Sequence, residues 1–565
     1  MPYFYPMKKK LIFVTVCCGL LMSMAYAQTK PKSNVFTHAD TLRGSITPER
    51  KWWNVLRYDI TVQPDYASKT IVGSNKISYQ VTSESYPAFM QIDLQVPLII
   101  DSVLFGRSRK LDFSNKGNVW LVHVPKQKKL SNGEVTVYYH GKPREAVRPP
   151  WDGGWIWTKD SLGRPWMSAA CQGLGASVWY PCKDHQSDEP DNGASLSIIV
   201  PDTLVAVGNG RLVSKQNNNN GTATYVWEVK SPINNYDIIP YIGKYSNFSE
   251  VYDGEKGKLD LNYWVLDYNM AKAKEHSSPD VYRMLKAFEH WFGPYPFYID
   301  GYKLVDAPHL GMEHQSATAY GNKYMNGYLG RDLSKTGWGL KWDYIIVHES
   351  GHEWFGNNIT SNDIADMWVH EGITDYSETL FTDYHYGTEA GNEYNYGQRG
   401  GIQNKEPIIS VYGVNNEPPG DMYPKGANLL HTIRHSIHDD EKFRQILRGL
   451  NETFYHKTVN SKQIENFISE KSGYDYTNVF NQYLRDIRVP ELEFYFSNSN
   501  KTIAYRWVNC NKNFDLPLAL ENDKTSMKII PSTKWKTLSL KGNEAALFDV
   551  TAIEKKYYIT VKQTK

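Results

Sequence analysis

The sequence predicts a multidomain α+β protein with an N-terminal antiparallel β domain, a mainly helical middle domain and a small C-terminal β domain. Two periodicities support this order. From about residue 58 to 250, apolar and polar residues alternate, which is typical of half-buried strands. From about residue 270 to 488, apolar residues recur at helical spacing, and after Pro490 the alternation returns.

The composition is that of a globular chain. Its 565 residues are enough for three or four domains of ordinary size. The chain is 41% hydrophobic and 22% charged, and its 40 Tyr and 17 Trp suit sheets and open clefts. The formal net charge is +2, and it falls to about −1 without the lysines at 8–10. A nearly neutral chain gives no indication of binding to nucleic acid or to anionic lipid.

The first 27 residues read as a signal peptide. Three lysines at 8–10 precede an apolar run at 11–24, and Ala-Tyr-Ala at 25–27 supplies small residues before a cleavage site at Gln28. The alternative is an uncleaved membrane anchor, but the apolar run is short for a span. We therefore expect an exported protein, periplasmic or secreted, with no stable membrane anchor after cleavage.

Cysteine usage excludes a disulfide scaffold. Cys17 and Cys18 lie in the leader, so only Cys171, Cys182 and Cys510 remain in the mature chain. Exported proteins stabilised by disulfides carry many more. The sequence allows a bridge between Cys171 and Cys182, but nothing in it indicates one.

Five segments follow from these patterns. Residues 28–50 are polar, and we expect them to be flexible. The N-terminal β domain takes 51–250, where runs such as 58–62 alternate with period two and turn signals separate them. The helical domain takes 251–489, and a small β-sandwich takes 490–565.

The helical domain is built from amphipathic segments. They lie at 282–292, 340–355, 371–386 and 425–438, with two more around 464–468 and 480–484. Pro490 ends this domain. The strands expected after it lie at 492–496, 503–508 and 557–561.

One motif in the helical domain predicts a metal site. Residues 348–352 read His-Glu-Ser-Gly-His, which places His348 and His352 on one face of a helix. Two histidines leave a zinc site incomplete, and Glu371, separated from His352 by 18 residues, supplies a third ligand. Glu349 then stands beside the metal as a general base for water, which is hydrolytic chemistry.

The alternative is a chance match on a solvated helix. The flanking residues argue against it, because 344–347 and 354–357 are largely apolar and predict a buried helix. Polar groups on a buried helix need partners. A zinc site with His348, His352 and Glu371 as ligands provides that reason.

Three further stretches accompany the zinc motif and Glu371: Leu310-Gly311-Met312-Glu313-His314, Tyr423 with Lys425-Gly426-Ala427, and the stretch from Gln172 to Pro181-Cys182. Together these four stretches resemble the M1 family of zinc aminopeptidases, the gluzincins that include aminopeptidase N and leukotriene A4 hydrolase. The likeness covers about residues 50 to 490. It implies a thermolysin-like catalytic domain at 251–489 that holds one Zn2+ per chain.

The chain departs from the family pattern in its exopeptidase motif. Leu310 replaces the first Gly, Gly311 replaces Ala, and His314 replaces Asn, whereas Glu313 is kept. Position 172 is Gln where some members have Glu. A neutral Gln can accept a hydrogen bond from an ammonium but adds no charge. The changes in the exopeptidase motif concern the shape of the first side-chain pocket and not the reaction. The roughly 75 residues after position 490 are also too few for the large C-terminal helical domain of many relatives.

The resemblance assigns roles to four kinds of residue. An aminopeptidase must hold a free α-ammonium, and a charge-assisted hydrogen bond to Glu313 suits it, with Gln172 as a second acceptor. Gly311 and Met312 are expected to run as an edge strand along the substrate backbone. Tyr423 can donate its phenol hydrogen to the oxyanion. Without the resemblance, Glu313 reads as a solvated loop carboxylate and Tyr423 as a core tyrosine.

Two further carboxylates are candidates for supporting the metal ligands. Asp375 and Glu378 fall at i+4 and i+7 from Glu371, on one helix face. A carboxylate there can accept the free ring N–H of a zinc-bound histidine. A surface salt bridge is the equally good alternative.

The sequence therefore predicts a zinc aminopeptidase whose substrates are peptides with a free N-terminus. Two rivals stay open: a thermolysin-like endopeptidase, against which Glu313 argues, and a non-catalytic peptide-binding protein on the same fold, against which the intact ligands argue. The preferred N-terminal residue, the oligomeric state, the physiological substrate and an epoxide-hydrolase side activity are left undecided.

Overall fold

The computed structural model describes residues 36–564, so the predicted signal peptide at 1–27 lies outside the described residues. Its helices are α1 His38–Gly44, α2 Pro48–Lys51, α3 Met270–Lys272, α4 Ser278–Phe292, α5 Tyr344–Gly351, α6 Trp368–Tyr386, α7 Thr388–Gln398, α8 Met422–Ile437, α9 Asp440–Thr453, α10 Ser461–Ser472, α11 Thr477–Arg485 and α12 Val550–Lys556. Its strands up to residue 245 are β1 Trp53–Asp65, β2 Thr70–Val81, β3 Phe89–Asp93, β4 Ile99–Phe105, β5 Arg109–Leu111, β6 Phe113–Lys116, β7 Val119–His123, β8 Asn132–Gly141, β9 Gly154–Lys159, β10 Pro165–Ala170, β11 Ala194–Pro201, β12 Val205–Val207, β13 Arg211–Asn217, β14 Thr222–Val229 and β15 Tyr241–Gly243.

The remaining strands belong to the middle and C-terminal parts. They are β16 Tyr245–Gly254, β17 Gly257–Leu266, β18 Tyr302–Asp306, β19 Gly311–Met312, β20 Thr318–Tyr320, β21 Ile359–Ser361, β22 Lys457–Val459, β23 Glu491–Ser497, β24 Thr502–Val508, β25 Leu518–Asn522, β26 Thr525–Ile529, β27 Lys536–Ser539 and β28 Thr560–Gln563.

The N-terminal part is a β domain, as predicted. Its largest sheet has eight strands in the order β13-β14-β11-β1-β2-β8-β4-β5, beside sheets of four and three strands. Alternation explains the packing, because Tyr58, Ile60 and Val62 of β1 are at most 1% exposed while their neighbours face outward. One pair departs from antiparallel order: β1 runs parallel to β11, with Tyr58 opposite Ala194.

Residues 38–50 are structured, so the prediction of a flexible segment is wrong there. The chain forms α1 and α2, and Arg50 at the end of this segment is fully buried. Its guanidinium lies 2.6 Å from Asp93 of β3 and also donates to three backbone carbonyls of residues 42–45. The polar composition of this segment did not predict an ordered structure. The segment can still be ordered because its buried cation is paired with a carboxylate and hydrogen-bonded.

A mixed five-stranded sheet opens the middle domain. Its order is β16-β17-β18-β20-β19, which makes β19 an edge strand. Strand β16 crosses the boundary that the sequence suggested at 250. The helices of this domain, α4 to α11, pack on one another, and their apolar faces form a continuous core with the sheet.

Helix α5 begins later than the apolar pattern suggested, at Tyr344 rather than 340. Asp343 caps it, since its side chain accepts the backbone N–H groups of Ile345 and Ile346. After Gly351 the helix widens into a π turn at 353–357, inside which Gly356 has a φ of 133°. Only glycine adopts this conformation readily, so it bends the chain away directly after the zinc motif.

The C-terminal part is small and mainly β, as predicted. Strands β27-β24-β23-β28 form one sheet and β25-β26 a second, with α12 beside them. Phe494, Trp507 and Leu518 from both sheets are buried in the shared core. Among residues 36–564, no helix is both long and apolar enough to cross a membrane.

Candidate active site

The three predicted metal ligands converge in the structure. His348 lies on the last turn of α5, His352 directly after it, and Glu371 in the first turn of α6. The Nε2 atoms of His348 and His352 lie 3.8 Å and 3.2 Å from Oε2 of Glu371. All three residues are at most 5% exposed. Donor atoms bound to one tetrahedral zinc are about 3.3 Å apart, so these separations fit that ion.

The second nitrogen of each ring is already engaged. His348 Nδ1 lies 2.6 Å from Oε1 of Glu378, and His352 Nδ1 lies 3.0 Å from the carbonyl oxygen of Phe355. Since a carboxylate and a carbonyl only accept, both rings carry their hydrogen on Nδ1. Each Nε2 therefore presents a lone pair toward Glu371, as zinc ligation requires. The donor set fits one zinc ion.

Glu378 therefore occupies the supporting position that the sequence suggested, and Asp375 does not. Oε2 of Glu378 accepts hydrogen bonds from Tyr394 and Gln398 of α7. Asp375 is buried beside this group, makes no hydrogen bond to His348, and has one oxygen without a partner. Burial, and then the charge of Glu378, raise the pKa of Asp375 far above its ordinary range.

Glu349 stands beside the ligands without joining them. It is 9% exposed, and one of its oxygens lies within 4.8 Å of ligand atoms of Glu313 and His352. Burial raises the pKa of Glu349 to about 7, against the lowering effect of His348 and then of His352. A carboxylate with a pKa near neutrality suits a general base.

Glu313 directly follows β19 and lies near both Glu349 and His352. Its Oε1 accepts hydrogen bonds from the hydroxyl of Tyr236 at 2.9 Å and from Nε2 of Gln172 at 2.6 Å. The side chain is 3% exposed, and no cation pairs with it among the described residues. Burial raises the pKa of Glu313, with the charge of Glu371 adding to it and that of His352 opposing it.

Gln172 differs from the expected arrangement. The sequence suggested that its oxygen accepts a hydrogen bond from an ammonium, but its nitrogen faces Glu313 and, at 3.3 Å, Oε1 of Glu371. Two carboxylates can only accept, which fixes this orientation. For the oxygen of Gln172 to accept a hydrogen bond from an ammonium, its side-chain amide must flip.

Gly311 and Met312 form the edge strand β19, as the family pattern implied. Gly311 pairs with Tyr320 and Met312 with Ala319, so the other edge of β19 faces the cleft. A Cβ on Gly311 would lie 2.6 Å from Oε1 of Glu349. The glycine therefore leaves the space that Glu349 needs beside the strand.

Tyr423 comes from the first turn of α8 and reaches the same cavity. Its ring centroid is 6.0 Å from that of His348. Burial, followed by the charges of Glu371 and Glu417, raises the pKa of Tyr423 far above 10. Its hydroxyl thus stays protonated and can donate a hydrogen bond.

These side chains line one cavity of about 280 Å³. It is lined by Pro150, Trp151, Gln172, Gly173, Leu310, Gly311, Met312, Glu313, Tyr328, Tyr344, Ile345, His348, Glu349, His352, Glu371, Glu417 and Tyr423. All nine residues proposed from the sequence for metal binding, catalysis and substrate binding are in this set. Tyr236, which holds Glu313 from outside the cavity lining, carried no signal in the sequence. The thiols of Cys171 and Cys182 are free and buried, and they form no bridge.

Residues 279–483 match the peptidase family M1 domain. The middle part of this chain is therefore similar to the peptidase domain of the M1 family. Aminopeptidase B of Mus musculus is 23% identical over 336 residues, which cover 56% of this chain and 48% of that protein. Leukotriene A-4 hydrolase of Xenopus laevis is 24% identical over 457 residues, covering 75% and 68%. This chain therefore spans about half the length of aminopeptidase B.

A solved structure shares the fold. The M1 zinc metallopeptidase from Deinococcus radiodurans, as a mutant bound to a Tyr-Ser-Ala substrate, matches with a TM-score of 0.65 and 19% identity. The match covers 77% of this chain and 95% of that one. Identity this low establishes the fold alone. Metallopeptidases of this family use one zinc, and His348, His352 and Glu371 are the residues that would hold it here.

Proposed function

We propose that this protein is a zinc-dependent aminopeptidase of the M1 family that removes N-terminal residues from peptides. The observation that carries the proposal is Glu313, a buried carboxylate beside the metal ligands that pairs with no cation among residues 36–564. A buried carboxylate is costly unless it is paired. The α-ammonium of a peptide supplies that charge at a fixed distance from the ligands, which selects substrates with a free N-terminus.

The chemistry divides among the residues of the cavity. Bound zinc supplies Lewis acidity, which polarises a carbonyl and lowers the pKa of water. Glu313 and Gln172 hold the N-terminus, and the free edge of β19 aligns the peptide backbone. Glu349 accepts a proton from the attacking water and returns it to the amine that leaves as the C–N bond breaks.

Tyr423 completes the arrangement. Its protonated hydroxyl faces the cavity from α8 and can donate to the oxyanion that develops as water adds to the carbonyl carbon. A donor held by a helix needs little reorganisation during the reaction, which makes its contribution large.

Two alternatives are less well supported. A thermolysin-like endopeptidase needs no group for the amine, so it leaves the burial of Glu313 unexplained. A peptide-binding protein without catalysis needs neither Glu349 nor the zinc ligands in their present geometry.

The proposal is tested by comparing free and blocked substrates. We expect hydrolysis of aminoacyl p-nitroanilides and of an unblocked peptide, and little or none of the same peptide after N-acetylation. Glu313→Gln keeps the shape of the side chain and removes its charge, so kcat/KM for free substrates should fall by about 100-fold or more. Glu470→Gln on the exposed face of α10 is the control. Equal cleavage of free and acetylated peptide would establish the endopeptidase instead.

We also propose that the protein acts outside the cytoplasm. Support comes from the leader pattern at 1–27 and from the small number of cysteines after it. Mass spectrometry of the N-terminus of the protein recovered from the periplasm and the medium tests this, with Gln28 expected as the first residue.

A further inference from the structure

A second and larger cavity adjoins the active site. It has a volume of about 560 Å³, twice that of the catalytic cavity, and Leu310 lines both. It lies between the hairpin β9–β10, the turn after β17 and the segment that leads into β19. The lining includes His309, Tyr268, Tyr324 and the lysines Lys159, Lys272 and Lys323.

The direction of a bound peptide leads into this cavity. If Glu313 holds the N-terminus, a peptide along the free edge of β19 starts at Glu313 and runs back toward Leu310, antiparallel to the strand. Glu349 lies beside Gly311, between these two points. A strand advances about 3.3 Å per residue, so the second and third residues after the scissile bond come opposite Leu310 and His309.

The walls of the cavity suit peptide side chains. Tyr268 and Tyr324 face it together with Trp166 and Leu329, so much of its surface is aromatic or apolar. Aromatic residues supply large contact area with little loss of conformational freedom.

The charges of the cavity are unbalanced. Lys159, Lys272 and Lys323 are exposed, and none lies within 4.0 Å of a carboxylate among the described residues. The two carboxylates of the lining are already satisfied. Asp160 is paired with Arg164 at 2.7 Å, and Asp306 accepts hydrogen bonds from Tyr324, Asn269 and the backbone of Leu266.

We propose that this cavity binds the second and third residues downstream of the scissile bond and that its three lysines favour a carboxylate there. The proposal rests on the proposed aminopeptidase function. The carboxylate has two possible sources: the C-terminus of a tri- or tetrapeptide, or an acidic side chain of a longer peptide. Its attraction to Lys159, Lys272 and Lys323 lowers KM for such substrates.

The test uses four alanine-based tetrapeptides with a free N-terminus. Two differ only in a C-terminal acid or amide, and two are amides that differ only in Asp or Asn at the third position. We expect kcat/KM to be about tenfold higher for one or both charged members, since each partly exposed ion pair contributes up to about fivefold. The advantage should shrink between about 0.02 M and about 0.5 M salt because the lysines are exposed.

A triple variant identifies the lysines. Lys159→Gln, Lys272→Gln and Lys323→Asn together should abolish the preference, and Asn is chosen because residue 323 has a φ of 58°. The matched control, Lys110→Gln with Lys258→Gln and Lys528→Gln, removes the same charge from three exposed lysines on other strands and should keep the preference.

The outcomes distinguish a failure of this inference from a failure of the proposed aminopeptidase function. An acid preferred over its amide identifies the C-terminus as the source, and Asp preferred over Asn identifies a side chain. No preference in the wild type, or one that survives in the triple variant, overturns this inference. An aminoacyl p-nitroanilide, which has no downstream residue, should be cleaved equally by all variants. If the wild type cleaves neither it nor any free peptide, the aminopeptidase function itself is wrong.

Discussion

Gly372 of α6 and Gly426 of α8 touch each other where the two helices cross. A Cβ on Gly426 would lie 2.7 Å from the Cα of Gly372, and a Cβ on Gly372 would lie 2.8 Å from the carbonyl oxygen of Met422. Glu371 directly precedes one glycine, and Tyr423 lies three residues before the other. This backbone contact therefore sets the distance between a zinc ligand and the proposed oxyanion donor.

Replacing Gly426 should separate these two groups. Gly426→Ala gains about 1 kcal/mol of helix propensity, but overpacking costs about 1–3 kcal/mol and moves α8 outward. We expect kcat to fall by about 10- to 100-fold while zinc content is kept, because small displacements of catalytic groups are costly. Steady-state kinetics with metal analysis measures both.

Gly400→Ala is the control for this substitution. No atom lies within 4 Å of a Cβ at that position, so activity should be unchanged. A Gly426→Ala enzyme with wild-type kcat would show that the helix contact does not position Tyr423.

Glu378 should matter for zinc affinity rather than for the chemical step. Its carboxylate holds Nδ1 of His348 at 2.6 Å and thereby orients the ring. Glu378→Gln removes the charge that favours this arrangement, so zinc affinity should fall by about 10- to 100-fold. Competition with a chromogenic chelator measures the affinity directly.

Asp375 provides a neighbouring comparison on the same helix. It lies next to Glu378 but makes no hydrogen bond to His348, and its raised pKa keeps it protonated. Asp375→Asn replaces one neutral group by another and should change zinc affinity by about threefold or less. Equal losses in both variants would mean that general repacking of α6, and not the contact with His348, controls the metal.

Glu349 should be dispensable for the metal and essential for the rate. Glu349→Gln removes the proton acceptor and leaves His348, His352 and Glu371 intact. We expect unchanged zinc content and a loss of several orders of magnitude in kcat. Loss of zinc together with activity would contradict the role given to Glu349.

The metal ligands could be predicted from the sequence because they depend on local spacing. His348 and His352 are one helical turn apart, and Glu371 follows on the next long helix, so short-range geometry fixes their chemistry. The edge strand at Gly311 and Met312 also followed from the family pattern. These features need little knowledge of the tertiary fold.

The residues that hydrogen-bond to Glu313 and Glu378 could not be predicted from the sequence. Tyr236 reaches Glu313 across 77 positions of the chain, and only the folded structure brings them together. Helix α7 was missed because Gly391 and Gly397 interrupt a polar segment with weak periodicity, yet it supplies Tyr394 and Gln398 to Glu378. Helix α9 was missed as well, although its apolar face is well defined.

The start of α5 contains an ion pair whose strength depends on pH. Nε2 of His276 lies 2.8 Å from Oδ2 of Asp343, the residue that caps the helix carrying the zinc motif. Burial of the ring lowers the pKa of His276, but the hydrogen bond and charge of Asp343, with smaller contributions from Asp280 and Glu275, raise it above 6.5 overall. The folded protein thus binds this proton more tightly than the unfolded chain does.

This pair should stabilise the protein most in mild acid. Because the folded pKa of His276 is raised, its stabilisation is complete below about pH 6 and is lost as the pH rises through the folded pKa. The melting temperature of the wild type minus that of His276→Gln should therefore decrease between about pH 5.5 and about pH 8.5.

His385 should show the opposite pH dependence. Burial lowers its pKa, and this effect outweighs the hydrogen bond to the backbone carbonyl of Arg283. The melting temperature of the wild type minus that of His385→Gln should therefore increase over the same pH range, since protonation of His385 favours the unfolded chain. Calorimetry of both variants and the wild type measures these differences, and two curves of the same slope would rule out the ion pair as their cause.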